Sequence, residues 1–347
     1  MPNPVLTRAI DALASGADLP AQQAADVLAE IMAGDASETQ TAAVLIALRT
    51  KGETVEEIVG LATTMRRLAS PVLTRCEDLL DTAGTGGGRP TFNVSTTAAL
   101  IAAGAGCRVA KHGNRSATGL SGSADLLEAL GVRIDLAPGD VARCIEEIGF
   151  GFMFAPAHHG ATRYVVPVRK ELGVRTIFNF LGPLTNPAGA TRQLIGVSDP
   201  RYVDTMAGAL VRLGAKRALV VSSSDGLDEM STSGTTRVVE VGDGALRSYE
   251  VSPADVGLAG AGFDDVRGGT PPQNAAVTRR ILAGEPGARR DLAVFNAGAA
   301  ILAGGRAESL EAGVRAAEAA VDSGAAAGAL EKLVELSVSL AAEAAAR

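Results

Sequence analysis

The chain contains no tryptophan and only 3% aromatic residues, so the flat side chains on which single-stranded nucleic acids stack are scarce. A basic run is missing too. With 32 Lys and Arg against 39 Asp and Glu the net charge is -7, which argues against a nucleic-acid backbone or an anionic membrane as the main partner. Cysteine is sparse: Cys76, Cys107 and Cys144 stand far apart in no Cys-x-x-Cys or metal-ligand spacing, as expected of reduced core thiols in a cytoplasmic protein. The three histidines, His112, His158 and His159, have no spacing that would gather them on one zinc ion. No apolar run reaches membrane-spanning length, and the first residues lack a basic stretch followed by an apolar one, so neither insertion nor secretion is expected.

What remains is an apolar fraction of 47% with 20% charged residues, enough to bury a large core built from Ala, Val, Leu and Ile. At 347 residues two structural units are expected. Residues 1–70 read as helices: Ser37, Glu38, Thr39 and Gln40 form a capping-box pattern, and Thr54, Val55, Glu56 and Glu57 form a second. Ser70 and Pro71 break that texture, because proline disfavours helical geometry in the residue before it. From Glu77 onward short apolar strands alternate with Ala-rich helices, the pattern of a mostly parallel α/β sheet; the strand candidates are 79–81, 108–111, 151–154 and 218–221. The prolines and glycine of 176–187 suggest a fixed connector that returns to the helical unit, and the end of the chain from Gly328 reads as helix.

The strongest chemical signal is Asp81, Thr82, Ala83, Gly84, Thr85, Gly86, Gly87 and Gly88, which follows a strand and precedes Thr91, Phe92, Asn93, Val94, Ser95 and Thr96 at the start of a helix. Glycines let backbone N–H groups converge on an anion, and the helix start favours negative charge by about 0.3–1 kcal/mol. Cations must supply the rest. The spacing fits neither the nucleoside-triphosphate loop nor the dinucleotide fingerprint, so phosphate is indicated without ATP or NAD. A second strand end, Val109, Ala110, Lys111, His112, Gly113, Asn114 and Arg115, runs into the Gly/Ser-rich stretch 116–125. Two such ends can form the walls of one cleft, with Lys111 facing phosphate; for Lys111 and Arg115 alone, solvated surface is the competing reading. The third signal is Asp228 and Glu229, behind Ser224 and Asp225 at another strand end. Such a pair usually marks a solvated turn, but beside a phosphate cradle it suits Mg²⁺, which takes one or two carboxylates plus substrate oxygens. His159 reads equally as a structural or a cleft-lining residue, and Arg169 as surface or as a bidentate partner for a carboxylate.

Together these residues resemble the anthranilate phosphoribosyltransferase family over almost the whole chain, through 81–87, 91–96, 111–115, 122–131, 176–187 and 225–229, with Arg290, Asp291, Asn296, Ala297 and 322–325 agreeing too. The resemblance implies an α/β fold with a small all-helical domain, 1–70 completed by part of 168–190, and a large α/β domain, 71–347, with a mostly parallel central sheet. It implies a homodimer and a magnesium-dependent transfer of the phosphoribosyl group of phosphoribosyl diphosphate to anthranilate. Carried over by motif, Gly84, Gly87, Gly88, Thr91, Asn93, Val94, Ser95, Thr96, Lys111, His112, Gly113, Asn114, Gly119 and Ser123 would hold phosphoribosyl diphosphate. Gly84, Asn114, His112, His159 and Arg169 would line the anthranilate site, and Ser95, Asp228 and Glu229 would serve magnesium. No proton-transfer residue is implied: an arylamine is neutral at pH 7, so positioning plus charge stabilisation by Lys111 and the metal site is the expected catalysis. The chain departs from the family pattern at Gly88, where aspartate is usual in a slightly longer loop, at Gly160 in place of proline, and at Ser222 and Ser223 in place of His-Gly. Three alternatives stay open on the residues themselves: a paralogue with another aromatic acceptor, a pyrimidine nucleoside phosphorylase-like enzyme, which needs no paired-carboxylate metal site, and a nucleic-acid-binding relative of the same fold, which the charge of -7 does not support.

Overall fold

The computed structural model describes residues 1–116 and 119–346. Ala117 and Thr118, within the stretch read above as part of the second cleft wall, lie outside them. Four helices open the chain, Pro4–Ala14, Ala21–Ala33, Glu38–Lys51 and Val55–Leu68. The second expected capping box forms in full between Thr54 and Glu57. The first forms only by half: Ser37 caps the N–H of Gln40, but the Gln40 side chain accepts instead from the N–H of Asn3 at 2.9 Å, joining the first and third helices.

The sheet comprises β1 (Leu80–Gly84), β2 (Val109–Gly113), β3 (Phe150–Phe154), β4 (Arg192–Gly196), β5 (Arg217–Ser223), β6 (Thr236–Gly242) and β7 (Ala245–Val251), in the order β3-β2-β1-β4-β5-β6-β7. Strands β1 to β5 pair in parallel, whereas β6 and β7 add an antiparallel edge. Alternation along β5 covers both faces. Leu219 and Val221 enter one core with the helices Val94–Gly104, Ala288–Ala303, Leu310–Asp322 and Ala325–Ala345. Ala218 and Val220 enter another, shared with the four N-terminal helices and with Val203–Arg212.

The connector 176–187 is more regular than its prolines suggest. It contains the helix Phe178–Leu184, because Phe178, Phe180, Leu181 and Leu184 are all buried, and because Asn179 accepts the N–H of Thr176 at 3.1 Å. Pro183 falls in the last turn, where the lost N–H interrupts little of the helix. Helices Val166–Leu172 and Phe178–Leu184 pack on Glu38–Lys51 and Val55–Leu68 respectively.

Strand order reverses between β1 and β4: the chain runs outward from β1 through β2 to β3, then returns to the other side of β1. In open α/β sheets the crevice beyond the carboxyl ends at this reversal is where ligands bind. Here it holds the glycine-rich loop after β1.

Candidate active site

At the reversal the last residues of β1 and β4 are both glycines, Gly84 opposite Gly196, and the N–H of Thr85 donates to the Gly196 carbonyl at 2.8 Å. The reason lies far along the chain. A Cβ on Gly196 would stand 1.7 Å from the Asp228 carbonyl oxygen, and one on Gly84 2.6 Å from the Asp228 carboxylate. The two bare strand ends thus make room for the Asp228 segment to cross the crevice. Gly86 and Gly87 turn with φ of 66° and 80°, a region that favours glycine, and the N–H of Gly86 donates to Asp228 Oδ2 at 3.0 Å. The departure at Gly88 has the same origin, since a Cβ there would lie 2.5 Å from Asp228 Oδ1. Gly160 faces open space.

Behind the loop the helix Val94–Gly104 points its start at the crevice. The Oγ1 of Thr96 is buried there without a partner among the described residues, and Val94 is part of the core beneath. The Asn93 side chain is spent on scaffolding: its Nδ2 donates to the Ser121 carbonyl at 3.0 Å, and its Oδ1 accepts from Ser121 Oγ and Asn274 Nδ2, each at 2.9 Å. Thr91 bridges to Arg267.

Lys111 runs inward from β2 and is 1% exposed. Its Nζ donates to the Thr82 carbonyl at 2.5 Å, to Thr82 Oγ1 at 3.1 Å and to Ser95 Oγ at 3.4 Å, so it lies beneath the helix start. Burial pulls its ammonium down to about 8 against the opposing fields of Asp81 and Glu229. Asp228 and Glu229 sit partly exposed at the mouth yet walled by protein. Burial raises both carboxyls above the usual range, and Asp228 pushes Glu229 further, while Lys111 and the Ser95 N–H oppose that rise. Asp225, three residues before Asp228, is committed elsewhere. Burial raises it, but hydroxyls of Ser223, Ser233 and Ser231 and the Leu227 N–H outweigh that and hold its carboxyl low. Ser95, Asp228 and Glu229 therefore form a site with more negative charge than Lys111 offsets, which fits a divalent cation.

The second wall is Gly113, Asn114 and the loop that follows. A Cβ on Gly113 would lie 2.1 Å from Ser123 Oγ, which donates to the Asn114 carbonyl at 3.2 Å. Asn114 and Gly119 face solvent, and the Gly119 N–H donates to Ser116 Oγ at 2.7 Å. Arg115 is turned away, paired with Asp125 at 2.9 Å and Glu128 at 2.5 Å.

His112 and His159 meet with ring centroids 5.0 Å apart, each leaving a buried Nε2 without a partner among the described residues. The His112 Nδ1 faces the Gly182 carbonyl at 3.2 Å. The guanidinium of Arg169, half-buried and without an ion pair among the described residues, lies 5.4 Å over the Phe178 ring, one turn from Gly182 on the same helix. His158 points elsewhere, with Nδ1 3.0 Å from the Ser70 carbonyl. Burial lowers His112 to about 3, with His159 adding to it, and lowers His159 to about 4. Both imidazoles are neutral in the folded protein at pH 6.5, whereas the unfolded chain binds protons below that pH, so acid favours unfolding. Between pH 6.5 and 4 the His159 share is on the order of 3 kcal/mol. Thermal melts across that window are expected to show a shallower loss of Tm on acidification for His159→Gln than for the wild type; parallel curves would place the acid sensitivity elsewhere.

Sequence reading missed Gly196, Arg175 and Ser198. The Arg175 guanidinium donates to Ser198 Oγ at 2.6 Å and to Thr85 Oγ1 at 3.4 Å, beside the glycine loop. The pattern Arg-Gln-Leu-Ile-Gly followed by a polar turn was the available sign of a strand end at Gly196.

Among the described residues no helix is long and apolar enough to cross a membrane. Residues 7–69 match the glycosyl transferase family helical bundle domain, and residues 76–327 match the glycosyl transferase family a/b domain. The anthranilate phosphoribosyltransferase of Rubrobacter xylanophilus is 54% identical over 339 residues, which is 97% of this chain and 99% of that protein. The crystal structure of anthranilate phosphoribosyltransferase from Thermus thermophilus superposes with a TM-score of 0.90 at 46% identity, covering 95% of this chain and 99% of that one. The Saccharomyces cerevisiae enzyme in complex with phosphoribosyl diphosphate and magnesium has a TM-score of 0.87 at 27% identity, covering 96% and 98%.

Proposed function

The chain belongs to the anthranilate phosphoribosyltransferases of the glycosyl transferase family, and from that premise we propose how its residues carry the reaction. The reaction moves the phosphoribosyl group of 5-phosphoribosyl 1-diphosphate to the amine of anthranilate, giving N-(5-phosphoribosyl)anthranilate and diphosphate, a step of tryptophan biosynthesis. Magnesium is its cofactor.

The observation that carries the residue assignment is the convergence of three anion-binding or cation-binding features on the β1/β4 crevice. These are the glycine loop, the unpartnered Thr96 hydroxyl at a helix start, and the under-compensated pair Asp228 and Glu229. Gly84, Gly87, Gly88, Ser95 and Thr96 hold the sugar diphosphate, with Lys111 beneath them and Gly113, Asn114, Gly119 and Ser123 closing the other wall. Thr91, Asn93 and Val94 shape the helix start, Asn93 by fixing the Ser121 loop against it. Asp228, Glu229 and Ser95 hold magnesium, which when bound neutralises negative charge gathering on the departing diphosphate. Lys111, buried beneath the same point, adds a fixed positive charge in a region of low dielectric.

On the acceptor side, His112 and His159 present neutral rings, and Asn114 and Gly84 border the approach. Arg169 offers a guanidinium with no carboxylate partner among the described residues to an acceptor that carries one. Burial lowers Arg169 below its ordinary value, as expected of a cation awaiting an anion. The arylamine attacks without a base because its lone pair is already free at neutral pH, so the protein's task is alignment. The helical unit, residues 1–70 with part of 168–190, and the α/β unit, 71–347, then flank the acceptor; the packing of Val166–Leu172 and Phe178–Leu184 on the N-terminal helices supports that division. A cytoplasmic homodimer acting on small molecules completes the reading, in keeping with the acidic charge and the reduced, largely buried cysteines.

Loss of anthranilate fluorescence on mixing with phosphoribosyl diphosphate and magnesium measures the reaction directly. In that assay Arg169→Ala is expected to raise the anthranilate KM by roughly tenfold or more, the value of one charge-assisted contact, while the KM for phosphoribosyl diphosphate moves little. Equal effects on both substrates would remove Arg169 from the acceptor site.

A further inference from the structure

We infer that Arg175 binds the diphosphate end of the sugar substrate, as a second cation on the opposite side of the glycine loop from Lys111. The inference rests on the reading of that loop as the phosphoribosyl diphosphate site. Arg175 stands just before Phe178–Leu184, and its backbone carbonyl accepts from Arg49 Nη1 at 2.7 Å, so the helical unit fixes where it starts. Its Nη1 lies 2.7 Å from the position a Cβ on Gly87 would take, which puts the charge directly on the cradle.

Two neutral hydroxyls hold the guanidinium there. Ser198 Oγ accepts at 2.6 Å and itself donates to the Gly86 carbonyl at 2.9 Å; Thr85 Oγ1 accepts at 3.4 Å. Arg175 makes no ion pair among the described residues. Asp199 is paired with Arg201 at 2.7 Å, and Asp228, whose carboxylate senses Arg175, is held by the Gly86 N–H. A guanidinium with N–H groups to spare, seated on glycines and beside the proposed metal carboxylates, is placed for the phosphates those carboxylates would help bind. The other nearby arginine does not compete for this role: Arg89 stacks 3.6 Å over Phe263.

The competing account is a strut that merely shapes the loop through Ser198 and Thr85. Arg175→Gln and Arg175→Lys together separate the two, because neither keeps the fork that reaches Ser198 and Thr85, while glutamine loses the charge and lysine keeps it. Phosphoribosyl diphosphate with magnesium is titrated calorimetrically into wild type and both variants without anthranilate, and KM is measured for each substrate. Arg175→Gln is expected to weaken binding roughly tenfold to a hundredfold and to raise the KM for phosphoribosyl diphosphate in step, with the anthranilate KM within about twofold, and Arg175→Lys to recover part of the loss. Wild-type affinity in Arg175→Gln, or equal loss for both substrates, would overturn the inference and leave the site reading standing. Failure of the wild type to bind the sugar diphosphate would instead overturn the site reading itself.

Discussion

Replacing Glu229 with glutamine is expected to lower turnover by roughly two to three orders of magnitude and to raise the magnesium concentration at which the rate saturates. The carboxylate lies beside Asp228 in a walled site, where burial and that neighbour hold its proton on more tightly than usual, against the pull of Lys111 and the Ser95 N–H. Such a group is costly to keep ionised until a cation arrives. The same cost gives the test a second arm: without magnesium, Glu229→Gln relieves repulsion from Asp228, so Tm is expected to hold or rise while activity falls. Initial rates across a magnesium titration, with melts alongside, separate a lost metal contact from a damaged fold. An unchanged magnesium dependence would take Glu229 out of the metal site.

Lys111→Met carries the largest expected stability effect. The ammonium is buried under β1, donating to Thr82 and Ser95, and is the positive charge that offsets both Asp81 and Glu229. Its removal takes the positive neighbour from the buried Asp81, which keeps the donors His112 N–H and Asn186 Nδ2, and from the partly exposed Glu229, a loss of about 3–5 kcal/mol. Much of that loss should be returned by combining Lys111→Met with Glu229→Gln, since the two residues form one electrostatic unit and their effects are not additive. Urea denaturation of the two single variants and the double variant measures the coupling. Additive losses would mean that Lys111 acts through Thr82 and Ser95 alone.

Where local chemistry decides the structure, the chain is readable. Thr54 and Glu57 announce a helix start that forms as expected, and the run from Asp81 to Gly88 announces a strand, a turn and an anion cradle. The outcome is harder to read where distant residues decide. The prolines of 176–187 say irregular, but the burial of Phe178, Phe180, Leu181 and Leu184 makes that segment a helix. Gly196 looks like any strand-ending glycine until Asp228 is seen to pass 1.7 Å from where its Cβ would be. Arg115 and Arg175 are alike in sequence, one arginine each in a Gly-containing stretch. Only the fold gives the first to Asp125 and Glu128 and leaves the second beside the glycine loop. The antiparallel edge was also there to be read, since Asp243 and Gly244, with φ of 50° and 74°, form the two-residue hairpin turn that joins β6 to β7.

The core under the N-terminal helices does not stop at them. Leu28, Leu45, Ile58 and Leu61 share one apolar cluster with Ile195 of β4 and Val197 just beyond it, with Val220 of β5 and Val239 of β6, and with Met206 and Leu210 of Val203–Arg212. The helical bundle is therefore no detachable module. A graft that exchanged residues 1–70 between relatives would exchange one lid of the sheet, and the recipient's Ile195, Val220 and Phe178 would have to fit the incoming helices. A recombined library that broke the chain near residue 70 would therefore be expected to select paired changes across that shared surface.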